Sequence, residues 1–349
     1  MQEKRSDFRR LIYIVIVTAL MMWILLYAPT PYVVYEPGLA VPVEPMISIE
    51  EGDRLGDGEF LLTAVKMTEP NFLSTLQSMW DSSKDVYLKR DVLRGYSRQQ
   101  YVERLNVIMQ GSQNNAVEAA YRHAGLPYKS KPQAIIVSDA YTAENRLLAP
   151  FQAGDKLLGL TGGARFENIE ELFGLLQALN KEPSAAFDVE RGEEVIRVLI
   201  PARAQGTGVT EEERLKALGI ISLTELRSLE PDDPRYHLTI AAGEIGGPSA
   251  GLVFTLQALD LLTEGDLSGG HRIAATGTIT ADGKVGAIGG IKQKIVISSE
   301  EGAQLFLAPA DNFKEADEKA RSIDTSMKVV SVATLQEALD RIEEFKESE

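Results

Sequence analysis

The sequence predicts a mixed chain of α/β and α+β class, with one membrane-length apolar helix followed by two bodies of alternating strands and helices. Three observations carry this. An uncharged apolar run, Leu11 to Ala28, stands alone near the N-terminus. Beyond it, short apolar runs bounded by Gly, Pro, Asn and Asp alternate with segments of helical period. The composition, 44% hydrophobic and 25% charged over 349 residues, is that of globular protein and is long enough for two or three domains.

Residues 1–10, MQEKRSDFRR, are short and basic. Residues 11–28, LIYIVIVTALMMWILLYA, span roughly 27 Å as a helix, close to the hydrocarbon thickness of a bilayer. Lys4, Arg5, Arg9 and Arg10 precede this run, and no Lys or Arg follows until Arg54. The positive-inside rule then keeps residues 1–10 cytoplasmic and places the body outside, as a single-pass cell-membrane protein. Trp23, Tyr27, Tyr32 and Tyr35 suit the outer interface. A cleaved signal peptide is the competing reading, although the run exceeds a usual h-region and Ala28-Pro-Thr-Pro-Tyr32 is a poor cleavage site.

Residues 29–57 read as a Pro-punctuated, extended juxtamembrane segment. Residues 58–127 combine a strand, GEFLLTAVKM, with a rather polar helical pattern from Leu73 to Ala124, stopped by Gly125 and Pro127. Residues 128–203 form a compact unit. Its strands are QAIIVS, KLLGL, SAAFDVE and EEVIRVLI, with a helix capped by Asn168 and faced by Leu172, Leu175, Leu176 and Leu179. Residues 204–349 open on a charged connector and continue through YHLTIA, a helix from Pro248, and RIAATGTIT joined to KVGAI by Ala281-Asp282-Gly283, a tight-hairpin signal. QLFLA, a helix from Asn312, KVVSV and a helix begun by a Thr334/Glu337 capping box complete the chain.

Composition excludes several kinds of chemistry. A net charge of −15 and a pI near 4.9 leave no basic face for nucleic acid. The absence of cysteine removes thiol catalysis, disulfides and thiolate metal sites. His123, His237 and His271 stand in unrelated contexts, so no metal site is expected. The nearest approach to a phosphate-binding loop, Gly277 to Lys284, has five residues between its glycines and reads as a hairpin, so neither ATP nor another cofactor is expected.

The stretch GEIGGPSAGL, Gly243 to Leu252, clears space around one hydroxyl. Pro248 suits a first helical turn, and Ala250 to Leu262 is apolar enough to be buried on most sides. Ser249 then sits where free N–H groups and the positive end of a helix collect, a place that presents a nucleophile and stabilises an oxyanion. Tight packing of small residues explains the same letters. In GGIKQKIVIS, a helix beginning after Gly290 puts Ile291, Lys294, Ile295 and Ser298 on one face and turns Lys292 toward water. Lys294 in an apolar stripe is either a desolvated general base or a lysine that snorkels to solvent.

Two family resemblances rest on these residues. The Ala153-Gly154-Asp155 turn leading into KLLGL and closing at Thr161-Gly162, followed by helix and hairpin, resembles the bacterial PDZ domain. That implies capture of an extended peptide on an open sheet edge, although DAYTAENRL, where the binding loop should lie, departs from the family pattern. G-P-S-A-G, T-G-T-I and G-G-I-K-Q-K, in this order and spacing between Leu238 and Ala316, closely resemble the proteolytic domain of Lon-type proteases, which use a Ser-Lys dyad. The resemblance implies Ser249 as nucleophile, Lys294 as general base and Thr276 as the threonine that orients the lysine amine. It sets the oxyanion beside the backbone of Gly247, Pro248 and Ser249. Thr278 stands where many relatives have Glu, and Gly246 where they often have Asp.

With its anchor and PDZ-like unit, and without an ATPase module, the whole chain resembles the membrane-anchored, PDZ-containing Lon-like proteases of Gram-positive bacteria. This implies an ATP-independent serine endopeptidase acting on extracytoplasmic peptides or unfolded protein segments, recruited by the PDZ-like domain. It also implies, by analogy with ring-forming relatives, a homo-oligomer. GEFLLTAVKM would be the first strand of the protease fold, with the PDZ-like unit inserted after it. The rival is a membrane-tethered peptide-binding scaffold without activity. The joint presence of Ser249, Thr276 and Lys294 argues against it.

Overall fold

The computed structural model describes residues 2–52, 56–142, 150–243 and 245–348. Helix α1 (Gln2–Tyr27) includes a 20-residue stretch, Phe8–Tyr27, with mean hydropathy 2.1 and no part of it buried in the rest of the protein. Length and composition suit either a membrane span or a signal sequence.

Strand β1 (Tyr32–Pro42) follows at once, then β2 (Ile47–Ser48) and β3 (Glu59–Thr68). Residues 29–57 thus differ from the expected juxtamembrane segment. Tyr32–Pro42 is extended, but it pairs with β3 along its length, and Val33 and Val34 are buried. Pro37 does not stop the strand because the register shifts between Pro37 and Leu39, and a bulge tolerates a residue that cannot donate to the ladder. The stretch read as helical holds helix α2 (Phe72–Ser78), strand β4 (Asp85–Leu88), helix α3 (Lys89–Leu93) and the long helix α4 (Arg98–His123). Ser97 and Gln100 close the N-terminus of α4 with a reciprocal capping box.

The next unit comprises β5 (Tyr128–Ala140), β6 (Lys156–Leu160), α5 (Ile169–Ala178), β7 (Ala186–Arg191), β8 (Glu194–Leu199), α6 (Glu211–Leu218) and β9 (Ile220–Pro231). Its antiparallel sheet has the order β8-β7-β6-β5-β9, and its core joins Ile135, Val137, Leu157, Leu172, Leu176 and Phe187. The unit extends past the expected boundary at residue 203, because Ala217, Leu218 and Ile220 enter the same core. Strands β5 and β9 pair from Tyr128↔Pro231 to Ala140↔Ile220, so the chain enters and leaves side by side. Of the DAYTAENRL segment, residues 143–147 lie outside the described residues.

The remainder adds β10 (Thr239–Ile240), α7 (Gly251–Leu262), β11 (Arg272–Ala275), β12 (Thr278–Ile279), β13 (Val285–Gly286), α8 (Ile291–Glu300), β14 (Leu305–Pro309), α9 (Phe313–Ser322), β15 (Lys328–Val332) and α10 (Leu335–Lys346). A six-stranded sheet of order β15-β14-β11-β3-β1-β4 takes strands from both sides of the 128–231 unit. Alternation along its strands builds three layers. Phe60, Leu62, Ile273 and Ala275 pack with α4, α7 and α10, whereas Leu61, Ala274 and Phe306 pack with α8 and α9. Strand β3 runs parallel to β11 only as far as Leu62↔Ala275 and then continues alone on that edge. The opening left there is where the site lies.

Candidate active site

Ser249 is carried to the end of the sheet by a short 3₁₀ turn, Pro248–Ala250, that leads into α7. Gly247 adopts φ 92°, a conformation glycine reaches without strain, and its N–H donates to the Leu105 carbonyl of α4 at 3.1 Å. The Ser112 hydroxyl donates to the Pro248 carbonyl at 3.0 Å. On the other side, the Gly277 N–H and the Thr276 hydroxyl donate to the Ser249 carbonyl at 2.9 and 3.0 Å. Tight packing is real at Gly251, where an added Cβ would meet Ile279 and Ser112 within 3 Å. The small residues thus let α4 and the segment 276–279 grip the turn from two sides, while Ser249 stays partly exposed.

Lys294 approaches from the opposite layer. Helix α8 begins after Gly290, and Ile291, Lys294, Ile295 and Ser298 are all buried. The lysine does not snorkel: it is 2% exposed, and its Nζ lies 3.1 Å from Ser249 Oγ. The amine also donates to the carbonyl and the hydroxyl of Thr63 on β3. Burial away from water lowers its pKa from 10.5 to about 7, because the charged form loses hydration. A neutral amine keeps two N–H groups for Thr63 and turns its lone pair to the Ser249 hydroxyl, which then donates.

Several expectations change. The Thr276 hydroxyl, expected on the lysine amine, is committed to the Ser249 carbonyl, and Thr63 takes the place assigned to it. Thr276 follows β11, whose line ends beneath the serine turn, whereas β3 runs on to the lysine. Of the three backbone positions beside the nucleophile, Pro248 has no N–H and that of Gly247 is engaged by Leu105. Among the described residues, the Ser249 N–H has no acceptor and remains available to an oxyanion. Lys292 turns to the solvent side as expected, where it pairs with Asp85 at 3.4 Å and Glu315 at 3.3 Å. His271 precedes β11, at the far end of that strand, and packs edge-on against Phe345.

A groove of about 540 Å³ opens over the pair, bounded by Tyr35 and Leu39 of β1, Ala64 and Met67 of β3, Tyr101 of α4, and Ile245. The sequence pointed to none of these walls. The one signal for Thr63 was that it is the first polar residue after the apolar run of β3.

Comparison with known proteins agrees with this geometry. Residues 225–343 match the family described as Lon protease (S16) C-terminal proteolytic domain. The chain is 31% identical over 127 residues to a Lon protease of Xanthomonas oryzae pv. oryzae, which is 36% of this chain and 14% of that protein. It is 30% identical over 127 residues to a Lon protease of Clostridioides difficile, 35% of this chain and 16% of the relative. A Lon protease of Lachnoclostridium phytofermentans gives 32% over 110 residues, 32% of this chain and 13% of the relative. The chain carries a Lon-type proteolytic domain, and it matches only about one seventh of the length of these relatives.

Proposed function

We propose that the chain is a membrane-anchored serine endopeptidase that works by a Ser249–Lys294 dyad without ATP. The observation that carries this reading is the Lys294 Nζ, buried and, among the described residues, without a carboxylate partner, 3.1 Å from Ser249 Oγ. A buried lysine has no structural reason to face a serine in a groove, whereas a neutral amine there is a base. The Lon-type match of residues 225–343 supports the same chemistry.

The reaction is acyl transfer. Ser249 Oγ attacks the scissile carbonyl carbon as Nζ takes its proton, and the carbonyl electrons move onto the oxygen. The Ser249 N–H and the positive end of α7 stabilise that oxyanion. Collapse breaks the C–N bond, and Nζ returns the proton to the leaving amine. Water, deprotonated by the same amine, then hydrolyses the acyl-serine.

The 128–231 unit acts as a PDZ-like module that takes an extended peptide, as its five-stranded sheet and α5 suit. α1 holds the body at the outer face of the cell membrane, and the substrates are peptides, tails or locally unfolded segments. Copies of the chain associate as ring-forming relatives do. The test is hydrolysis of casein and of short peptides by the full chain, with and without ATP and Mg²⁺. Turnover that is lost in Ser249→Ala and indifferent to ATP is expected; a chain that binds peptide and never cleaves it is a scaffold.

A further inference from the structure

Helix α2 presents an apolar outer face: Leu73 and Leu76 point outward with Gln77 beside them, while Phe72 is half-buried. Thr75 and Ser78 are buried, whereas Leu73, Leu76, Met79 and Trp80 are 37%, 46%, 56% and 77% exposed. A surface helix of a water-soluble body does the reverse, and clustered exposed apolar side chains mark a contact surface. Position identifies the contact. Asn71, the N-cap of α2, donates its side-chain N–H to the Leu26 carbonyl in the last turn of α1 at 3.1 Å. The Thr30 hydroxyl donates to the Pro70 carbonyl at 2.8 Å. Thus α2 starts where α1 ends. The basic side chains of residues 81–90 are paired: Lys84 with Glu36 and Asp81, Lys89 with Glu69, and Arg90 with Asp91. The patch therefore offers apolar area, with the cations of residues 81–90 already balanced.

We propose that α2 and the turn bearing Met79 and Trp80 lie in the headgroup interface of the bilayer that α1 crosses, docking the catalytic body on zwitterionic lipid; this rests on α1 being a membrane anchor. Trp suits that depth, with an apolar ring and one N–H for the wet side. The docking sets where the groove works. Met67, in the groove wall, precedes Phe72 by five residues. That is at most about 18 Å of extended chain. The Ser249 groove is held close to the lipid surface, and the substrates it serves best are segments that emerge from the same bilayer.

The two tryptophans, Trp23 and Trp80, make the test direct. The full chain is reconstituted in phosphatidylcholine vesicles as Trp23→Phe, leaving Trp80 to report, and as Trp80→Phe, leaving Trp23. Both variants are first shown to cleave a soluble peptide like the parent. In the Trp23→Phe chain, Trp80 emission should be blue-shifted, lose most of its intensity to lipids brominated near the headgroup, and resist aqueous iodide, with no change on adding salt. If Trp80 responds to iodide and not to brominated lipid while Trp23 is quenched by the lipid, α1 crosses the bilayer and the docking is wrong. If brominated lipid quenches neither, the anchor reading fails and the docking falls with it.

Discussion

The Lys294 amine bridges Thr63 and Ser249, donating to both the carbonyl and the hydroxyl of Thr63 while it lies 3.1 Å from the serine oxygen. Thr63 thereby fixes which way the amine faces. Thr63→Val keeps the shape and the carbonyl and removes the hydroxyl, so it should lower kcat by about tenfold with little change in KM, as expected for one lost hydrogen bond in the transition state. It should also move the acidic limb of the pH–rate profile to lower pH, since the ammonium form loses an acceptor. Thr276→Val loosens the Ser249 turn instead. It should lower kcat and leave the limb where it was. Steady-state profiles of both variants separate the two roles.

Proton transfer sets the pH dependence. Only the neutral amine accepts the serine proton, and burial lowers the Lys294 pKa to about 7. Activity should therefore rise through about pH 7 and level off above it. A rise that begins only near the ordinary lysine value of about 10.4 would mean a solvated amine.

The same burial weakens the fold. A lysine whose folded-state pKa is lowered binds its proton better in the unfolded chain, so stability rises with pH between the two values. Lys294→Met removes the amine and should stabilise the protein by the order of a few kcal/mol at pH 7 and below. The gain should shrink from about pH 7 toward 10.4 and vanish above it. Thermal unfolding of both proteins across that range checks the sign. A Lys294→Met chain that is less stable at pH 6 would contradict it.

The pairing of β5 with β9 makes the inserted unit removable. Joining Pro132 to Arg227 through Asn-Gly keeps the base of the ladder, Tyr128↔Pro231 to Pro132↔Arg227, and deletes residues 133–226. If the module supplies binding and not bond cleavage, as proposed, turnover of short peptides should stay within about tenfold while capture of longer substrates is lost. Asp139, buried against Tyr96 and Arg104, goes with the unit, and Arg104 neighbours Leu105, which holds Gly247. Loss of all peptide turnover would show that this contact is needed to set the serine turn.

The sequence made the proximity of Ser249 and Lys294 legible because both residues violate their surroundings: a hydroxyl among glycines, and a cation in an apolar stripe. It could not reveal Thr63, whose main contribution is a backbone carbonyl that any residue carries. β1 was missed because Pro37 reads as a breaker and its bulge is a property of the pairing with β3. The boundary at residue 203 failed for the same kind of reason. The charged connector looks solvent-facing, and only pairing across the unit brings β9 into its sheet. The exchange of Thr276 for Thr63 has the same origin, since the serine turn and the lysine meet at an opening where β11 stops and β3 continues.

Peptide hydrolysis by the full chain carrying Ser249→Ala, Lys294→Ala, both together, or Lys292→Ala tests the dyad most directly. The two single variants should fall to background, and the double should be no worse than either, because residues that act as one unit are not additive. Lys292→Ala loses only its pairing with Asp85 and Glu315 and should stay within about threefold of the parent, as for other partly exposed ion pairs. A folded Lys294→Ala chain that still cleaves at the parent rate would contradict the account.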